Sequence, residues 1–175
     1  TGSFNGAGHT ISGLYVFGVG ETGLFGYING ATIENLIIGK GLVCSYDSNI
    51  GSVVGVFNGE GNVIRGCVNY ANVTGNAYVG GIAGKHTGGT DPTVTNCYNT
   101  GSVKGASCGA LVGEYAAEIR NSYYLEGSAS AATGNTKDGV NVEATAKTAA
   151  EMKETAFVLA LGNEAFHQDD GRNGG

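Results

Sequence analysis

Through residues 1–125 the apolar residues fall in short runs, and glycine, asparagine or serine interrupts each run. No stretch of ten residues there carries the three-to-four spacing of an amphipathic helix, whereas many runs read as brief β-strands. The runs also repeat. Thr22-Gly23-Leu24-Phe25-Gly26 is followed by Gly51-Ser52-Val53-Val54-Gly55, Gly80-Gly81-Ile82-Ala83-Gly84 and Gly109-Ala110-Leu111-Val112-Gly113. The closing glycines, Gly26, Gly55, Gly84 and Gly113, recur at one constant interval. A second element trails each block, led by Ile33, Ile64, Val94 and Ile119 in Ile33-Glu34-Asn35-Leu36, Ile64-Arg65-Gly66-Cys67, Val94-Thr95-Asn96-Cys97 and Ile119-Arg120-Asn121-Ser122. A third, Val73-Thr74-Gly75, returns one period later as Val103-Lys104-Gly105.

Strands this short bury no apolar face alone. Stacked in parallel, successive units close one another's ladders and share one core. The expected fold is therefore all-β: a right-handed parallel β-helix of about 4–5 coils, about 29–30 residues per coil, roughly 20–25 Å tall at the usual strand spacing. A parallel sheet with intervening helices is excluded by the missing helical periodicity.

Stacking assigns places to individual residues. Ile50, Val79 and Cys108 share a column, which makes Cys108 a small buried hydrophobe resting on Val79. Asn35, Asn96 and Asn121 share another, an asparagine ladder at a bend with Gly66 as its break, and neighbouring glycines permit positive φ at the corners. Cys67 and Cys97 stack with Ser122. Free thiols are the favoured reading, because a disulfide between in-register strands is strained, although an oxidising compartment leaves that bond conceivable. Alternation within the Gly-x-h-h-Gly block (h, apolar) leaves open which face points inward.

Residues 126–175 differ. They carry eight acidic and four basic residues, against seven and five before them. Ser128 to Asp138 reads as a polar loop. Thr148-Ala149-Ala150-Glu151 reads as a capping box opening a helix over about 148–161, with Met152, Ala156, Leu159 and Ala160 on one stripe and Gly162 as the stop. That helix is expected to cap the open end of the solenoid.

Composition narrows the functional classes. Glycine supplies 33 of 175 residues, yet there is one proline and no Gly-X-Y period, so the chain is not collagen. Nine basic residues against fifteen acidic ones give a net charge of −6, which speaks against nucleic acid as a partner. No apolar run is long enough for membrane insertion. Four scattered cysteines make neither a disulfide scaffold nor a zinc site. Nor is there a nucleophile elbow, a phosphate loop or a calcium loop; Asp169-Asp170-Gly171 lacks the remaining ligands. His9 and His86 read as solvated turn residues, and His167 lies far from both in sequence. Glu34, Arg65, Thr95 and Arg120 share a column and read as surface ion pairing. The expectation is thus no catalytic residue, no cofactor and no metal. Nine tyrosines are the remaining signal: packed at corners, as at Tyr70, or stacked on sugar rings or a protein partner.

These blocks resemble the GLUG repeat, whose Gly-Leu-x-Gly signature matches Gly23-Leu24-Phe25-Gly26 as it stands. Gly2 to Leu14 resembles the lead-in to such repeats, and Asn96-Cys97-Tyr98-Asn99-Thr100-Gly101-Ser102-Val103 is typical of them. The resemblance covers about residues 1–125. It implies an extracellular, bacterial, secreted or cell-surface protein much larger than this chain, both ends of which look cut. Some such proteins are immunoglobulin A metallopeptidases with the repeats outside the catalytic domain; others are adhesin-like. The catalytic His-Glu-x-x-His motif is absent here. The function expected is a non-catalytic stalk or adhesive module contacting host glycans, host proteins or the rest of its parent polypeptide. The alternatives are an accessory domain of a secreted immunoglobulin A-type metallopeptidase, and a carbohydrate-binding or carbohydrate-cleaving β-helix.

Overall fold

The computed structural model describes residues 1–114 and 117–161. The first turn contains β1 (Gly2–Asn5), β2 (Thr10–Ile11), β3 (Tyr15–Gly18) and β4 (Phe25–Asn29). The second contains β5 (Ala31–Glu34), β6 (Ile37–Ile38), β7 (Leu42–Ser45), β8 (Ile50–Gly51) and β9 (Val54–Asn58). The third contains β10 (Val63–Arg65), β11 (Val68–Asn69), β12 (Asn72–Thr74), β13 (Val79–Gly80) and β14 (Ala83–His86). The fourth contains β15 (Thr93–Thr95), β16 (Tyr98–Asn99), β17 (Val103–Lys104), β18 (Cys108–Gly109) and β19 (Val112–Glu114). Equivalent strands pair in parallel, in the orders β1-β5-β10-β15-β20, β2-β6-β11-β16-β20, β3-β7-β12-β17, β8-β13-β18 and β4-β9-β14-β19, where β20 spans Glu118–Leu125. The chain is a parallel β-solenoid of four full turns with a single C-terminal helix among the described residues.

The core consists of columns. Phe4, Ile33, Ile64, Val94 and Ile119 stack in register, and the last four of them are buried. Val16, Val43, Val73 and Val103 form a second column. Ile50, Val79 and Cys108 form a third, although Cys108, at its outer end, is only half-buried. Cys67 and Cys97 are both free thiols, with the Cys67 amide 3.4 Å from Cys97 Sγ. Burial pushes the Cys97 thiol well above its usual range, so it is not a nucleophile at neutral pH.

The orientation of the Gly-x-h-h-Gly block is settled by its hydrogen bonds. Val53 and Val54 are both buried, as are Ile82 and Ala83, and Leu111 and Val112. The amides of Val53 and Val54 both donate to the Ile82 carbonyl, at 3.0 and 3.1 Å, and those of Ile82 and Ala83 both donate to Leu111 O, at 2.9 and 3.0 Å. The block is therefore a corner that turns both apolar side chains inward, not an alternating strand. The glycines that close it have ordinary negative φ. They are needed because backbones touch: a Cβ on Gly84 would lie 2.5 Å from Gly55 O and 2.5 Å from Ile50 N.

The bend after β5 also differs from expectation. Asn35, Asn96 and Asn121 themselves adopt positive φ, at 53°, 52° and 42°, and Gly66 does so at 59°. Asparagine tolerates this left-handed region better than most residues, so it occupies the corner instead of needing a glycine beside it.

Ser128 to Asp138 holds no named strand, yet its backbone follows the fourth turn. Val103 N donates to Ser128 O, Leu111 N to Ala132 O and Gly134 N to Val112 O. Ala131-Ala132-Thr133-Gly134 thus repeats Ala110-Leu111-Val112-Gly113 in a fifth turn, shorter than the turns before it. A final strand, β21 (Val142–Lys147), then lies parallel to β20. Small residues such as Ala132 and Ala144 pack against the core here, and alanine gave no apolar signal strong enough to read as a strand.

The helix is also shorter than the 148–161 span expected. A 3-10 turn covers Glu151–Lys153, and α1 covers Thr155–Leu161. Phe157 and Leu161 pack with Val68 on the flank, where Phe157 meets the rings of Tyr98 and Tyr123 at 5.5 and 5.1 Å. The helix covers the flank because Tyr98 and Tyr123 offer an apolar wall there, while β21 already covers the end of the ladder. The expected stop at Gly162 lies outside the described residues.

The capping box is formed. Glu151 accepts from Thr148 N and Oγ1 at 2.8 and 2.9 Å, and Glu151 N donates back to Thr148 Oγ1 at 3.2 Å. The Thr148 amide and hydroxyl, with Lys147, hold the Glu151 carboxyl at about 2. A depressed carboxyl lends its anchoring above the ordinary glutamate range and loses it as pH falls through the depressed value. Amide protection over residues 151–161, taken relative to the intrinsic exchange rate at each pH, should therefore fall between pH 4.5 and about 2 while that of the solenoid amides holds. Unchanged protection of that segment down to pH 2 would contradict the assignment.

Candidate functional site

Strand alternation on the flank puts Tyr15 and Phe17 of β3 outward, above Leu42 and Cys44 of β7. Tyr46 follows β7, and its ring meets Phe17 edge to face, with centroids 5.1 Å apart and planes at 83°. Tyr15, Phe17, Val19 and Tyr46 are 70%, 54%, 79% and 79% exposed. Beside them the Asp47 carboxylate accepts from Gly20 N at 2.9 Å. An exposed aromatic pair on a rigid strand, next to a fixed carboxylate, suits stacking against a flat or amphipathic ligand.

Tyr70, Tyr98 and Tyr123, at the β11–β16–β20 sheet, serve packing. Tyr70 and Tyr98 pair through their hydroxyls, and burial together with the Tyr70 charge pushes Tyr98 upward from its usual range. Tyr123 donates to Asn121 Oδ1 at 2.8 Å. Tyr115 lies outside the described residues.

Several charged groups pair with each other. Glu34 and Arg65 form an ion pair at 2.5 Å. Arg120, in the same column, pairs with Glu118 in its own strand, and Thr95 stands between Arg65 and Arg120. Lys85 reaches buried Glu114 at 3.0 Å and lies 4.1 Å over the Tyr78 ring. His9 is exposed, as expected of a turn residue. His86 is not a solvated turn residue. It ends β14, is buried, and makes a 2.8 Å hydrogen bond through Nε2 to Gly88 O. Among the described residues no group of three or more His, Cys, Asp or Glu could hold a metal ion, and no helix is long and apolar enough to cross a membrane. His167 and Asp169-Asp170-Gly171 lie outside the described residues.

The repeat residues hold the scaffold under the patch. Gly26, Gly55, Gly84 and Gly113 line one backbone contact. Ile33, Ile64, Val94 and Ile119 line the core. Asn35, Asn96 and Asn121 form the bend, where Asn121 Nδ2 donates to Asn96 Oδ1 at 2.8 Å and Asn35 Nδ2 reaches Asn5 Oδ1 at 3.4 Å.

A more consequential asparagine pair escaped the reading of the sequence. Asn69 and Asn99 are fully buried and adjacent in register. Asn69 Nδ2 donates to Asn99 Oδ1 at 2.7 Å, and each side chain also clamps the backbone two residues on, at Ala71 and Gly101. Their recurrence one period apart, in Cys67-Val68-Asn69 and Cys97-Tyr98-Asn99, was the available signal.

Residues 75–104 match the GLUG motif. Among solved structures, the chain is similar to the crystal structure of a "putative immunoglobulin A1 protease" from Bacteroides ovatus, with a TM-score of 0.54 and 17% identity, over 90% of this chain and 71% of that one. At that identity the likeness is one of fold. No curated protein matches the sequence.

Proposed function

We propose that this GLUG-bearing solenoid is a non-catalytic structural and adhesive module of a larger secreted or surface-attached protein. The observation that carries the reading is the exposed Tyr15, Phe17 and Tyr46 patch on the parallel ladder. The GLUG motif and the fold shared with the B. ovatus protein support an extracellular setting. A host glycan or glycoprotein is the ligand class best suited to such a patch, since sugar rings and amphipathic surfaces both stack on aromatics.

Binding to a glycan array and to mucosal glycoproteins should be lost when Tyr15, Phe17 and Tyr46 are together changed to alanine, with circular dichroism unchanged. Binding that survives the triple substitution would remove the patch from the mechanism, and a blank array would remove the adhesive role.

The similarity to the B. ovatus protein favours a second reading, an accessory domain that supports or presents substrate to a peptidase domain elsewhere in its polypeptide. That reading expects binding to an immunoglobulin A1 heavy chain and none to free glycans. The cleaving alternative finds less support, because the aligned carboxylate Glu34 is held by Arg65 and has no second acid beside it in its column, whereas glycoside cleavage uses a pair.

A further inference from the structure

The patch of Tyr15, Phe17 and Tyr46 is one end of a longer face. Along β3, β7, β12 and β17 the column of Val16, Val43, Val73 and Val103 points inward, and the residues on either side of it line up outside. One outer row is Tyr15, Leu42 and Asn72, and the row beside it is Phe17, Cys44, Thr74 and Lys104. Leu42 and Cys44 are half-buried, and Asn72, Thr74 and Lys104 are exposed. Neighbouring strands sit about 4.8 Å apart, so the second row spans about 14 Å from Phe17 to Lys104.

The face changes character along that length. The aromatic end has Asp47 beside it, with the carboxylate fixed by Gly20 N at 2.9 Å. In the middle, Asn72 Oδ1 accepts from Ser102 N at 3.1 Å, while Asn72 Nδ2 and the Thr74 hydroxyl make no hydrogen bond among the described residues. At the far end stands Lys104. Arg65, Lys85, Arg120, Lys137 and Lys147 each hold a carboxylate. Lys104 holds none among the described residues, and neither does Lys40, at the corner before β7.

We infer that this face takes an extended anionic glycan, laid across the strands along the solenoid axis, with a neutral sugar ring on Tyr15 and Phe17 and a carboxylate or sulfate at Lys104. The inference rests on the adhesive reading above and narrows its ligand class. Charge complementarity sets both the ligand and its direction. On a chain of net charge −6, a cation with no carboxylate of its own is a local site for an anion. Asp47 repels an anion from the aromatic end, so the acidic group belongs at the other. Between them, Asn72 Nδ2 and the Thr74 hydroxyl are free to donate to sugar oxygens.

The test is titration calorimetry of the intact chain with two matched pairs of probes. One is a hyaluronan hexasaccharide, whose acid is a carboxylate, against its methyl ester. The other is a keratan sulfate hexasaccharide, whose acid is a sulfate, against its desulfated form. At least one charged form should bind about twofold to fivefold tighter than its neutral counterpart, the scale of one exposed ion pair, and the pair that shows this names the anion. Lys104→Gln should abolish the preference, leaving the neutral form's affinity and the circular dichroism spectrum unchanged. Salt at about 1 M, where the screening length is about 3 Å, should abolish it too. Charged and neutral forms bound equally overturn the inference while the aromatic patch stands. So does a preference that Lys104→Gln leaves intact and Lys40→Gln removes. Failure of all the probes to bind also overturns it, and the adhesive reading then stands or falls on the glycan array.

Discussion

Changing Gly84 to alanine is expected to destabilise the protein by about 4 kcal/mol, a loss at the severe end for a single substitution. The added methyl would meet Gly55 O, Ile50 N and Asn49 C at 2.5, 2.5 and 2.6 Å, all of them backbone atoms. A flexible side chain could move aside, but a ladder strand cannot move without breaking its bonds to the turns above and below. Gly61→Ala is the matched control. It has open space around its Cβ position and a φ of 71°, so it should cost only about 1–2 kcal/mol of left-handed strain. Urea unfolding of both variants gives the comparison. Near-equal losses would mean that the ladder relieves the close approach at Gly84 at little cost.

The second large effect is expected at Asn99. Its amide accepts from Asn69 Nδ2 at 2.7 Å and from Gly101 N at 3.1 Å, and donates to Gly101 O at 2.9 Å, with no exposure to solvent. Asn99→Ala strands those three partners in a dry interior, where each unsatisfied group costs about 1–3 kcal/mol. A total of about 3–5 kcal/mol follows, less than the simple sum because small cavities can admit water. Asn99→Asp keeps the shape but introduces a buried acid. Burial raises a carboxyl's folded-state pKa, so the variant is best tolerated below the unfolded value of about 3.9 and loses stability as pH rises above it. Asn96→Ala, by contrast, changes an incompletely buried corner and should lose about 1–2 kcal/mol through left-handed strain. If Asn96→Ala proves the worse of the two, the buried ladder is not a principal support of the fold.

The contrast between these asparagines shows how far a sequence can be read. Asn35, Asn96 and Asn121 stood out because they follow the strand-leading aliphatic residues at a fixed offset. Their spacing placed them in one column, and the structure puts them at one corner. Asn69 and Asn99 repeat just as regularly, but a polar residue between apolar ones reads as outward-facing. Only the path of the chain turns that position inward, and only then does the side chain become a clamp on the backbone.

The C-terminal region fails in another way. The repeat at Ala131-Ala132-Thr133-Gly134 is there to be seen, but it arrives earlier than the period of the preceding turns would place it, and it carries alanines where they carry valine, leucine and isoleucine. Hydrophobic patterning weighs side chains, whereas this turn is held largely by hydrogen bonds from Val103, Leu111 and Gly134, which any sequence can make. The capping box at Thr148 and Glu151 was legible because its partners are close neighbours in the chain. The flank on which α1 lies was not, because Val68, Tyr98 and Tyr123 come together only through the stacking of turns.

What the sequence determined by itself is the period, and with it the architecture. Strands too short to stand alone, repeated at a near-constant interval, have no more economical way to bury their apolar positions than one above another. What the tertiary structure decided is direction: which asparagines point inward, how the Gly-x-h-h-Gly block turns, and where the helix rests. A column fixes a residue's neighbours along the stack, but its side chain faces core or solvent according to the bends of each turn, and those bends are set by backbone contacts between residues far apart in the chain.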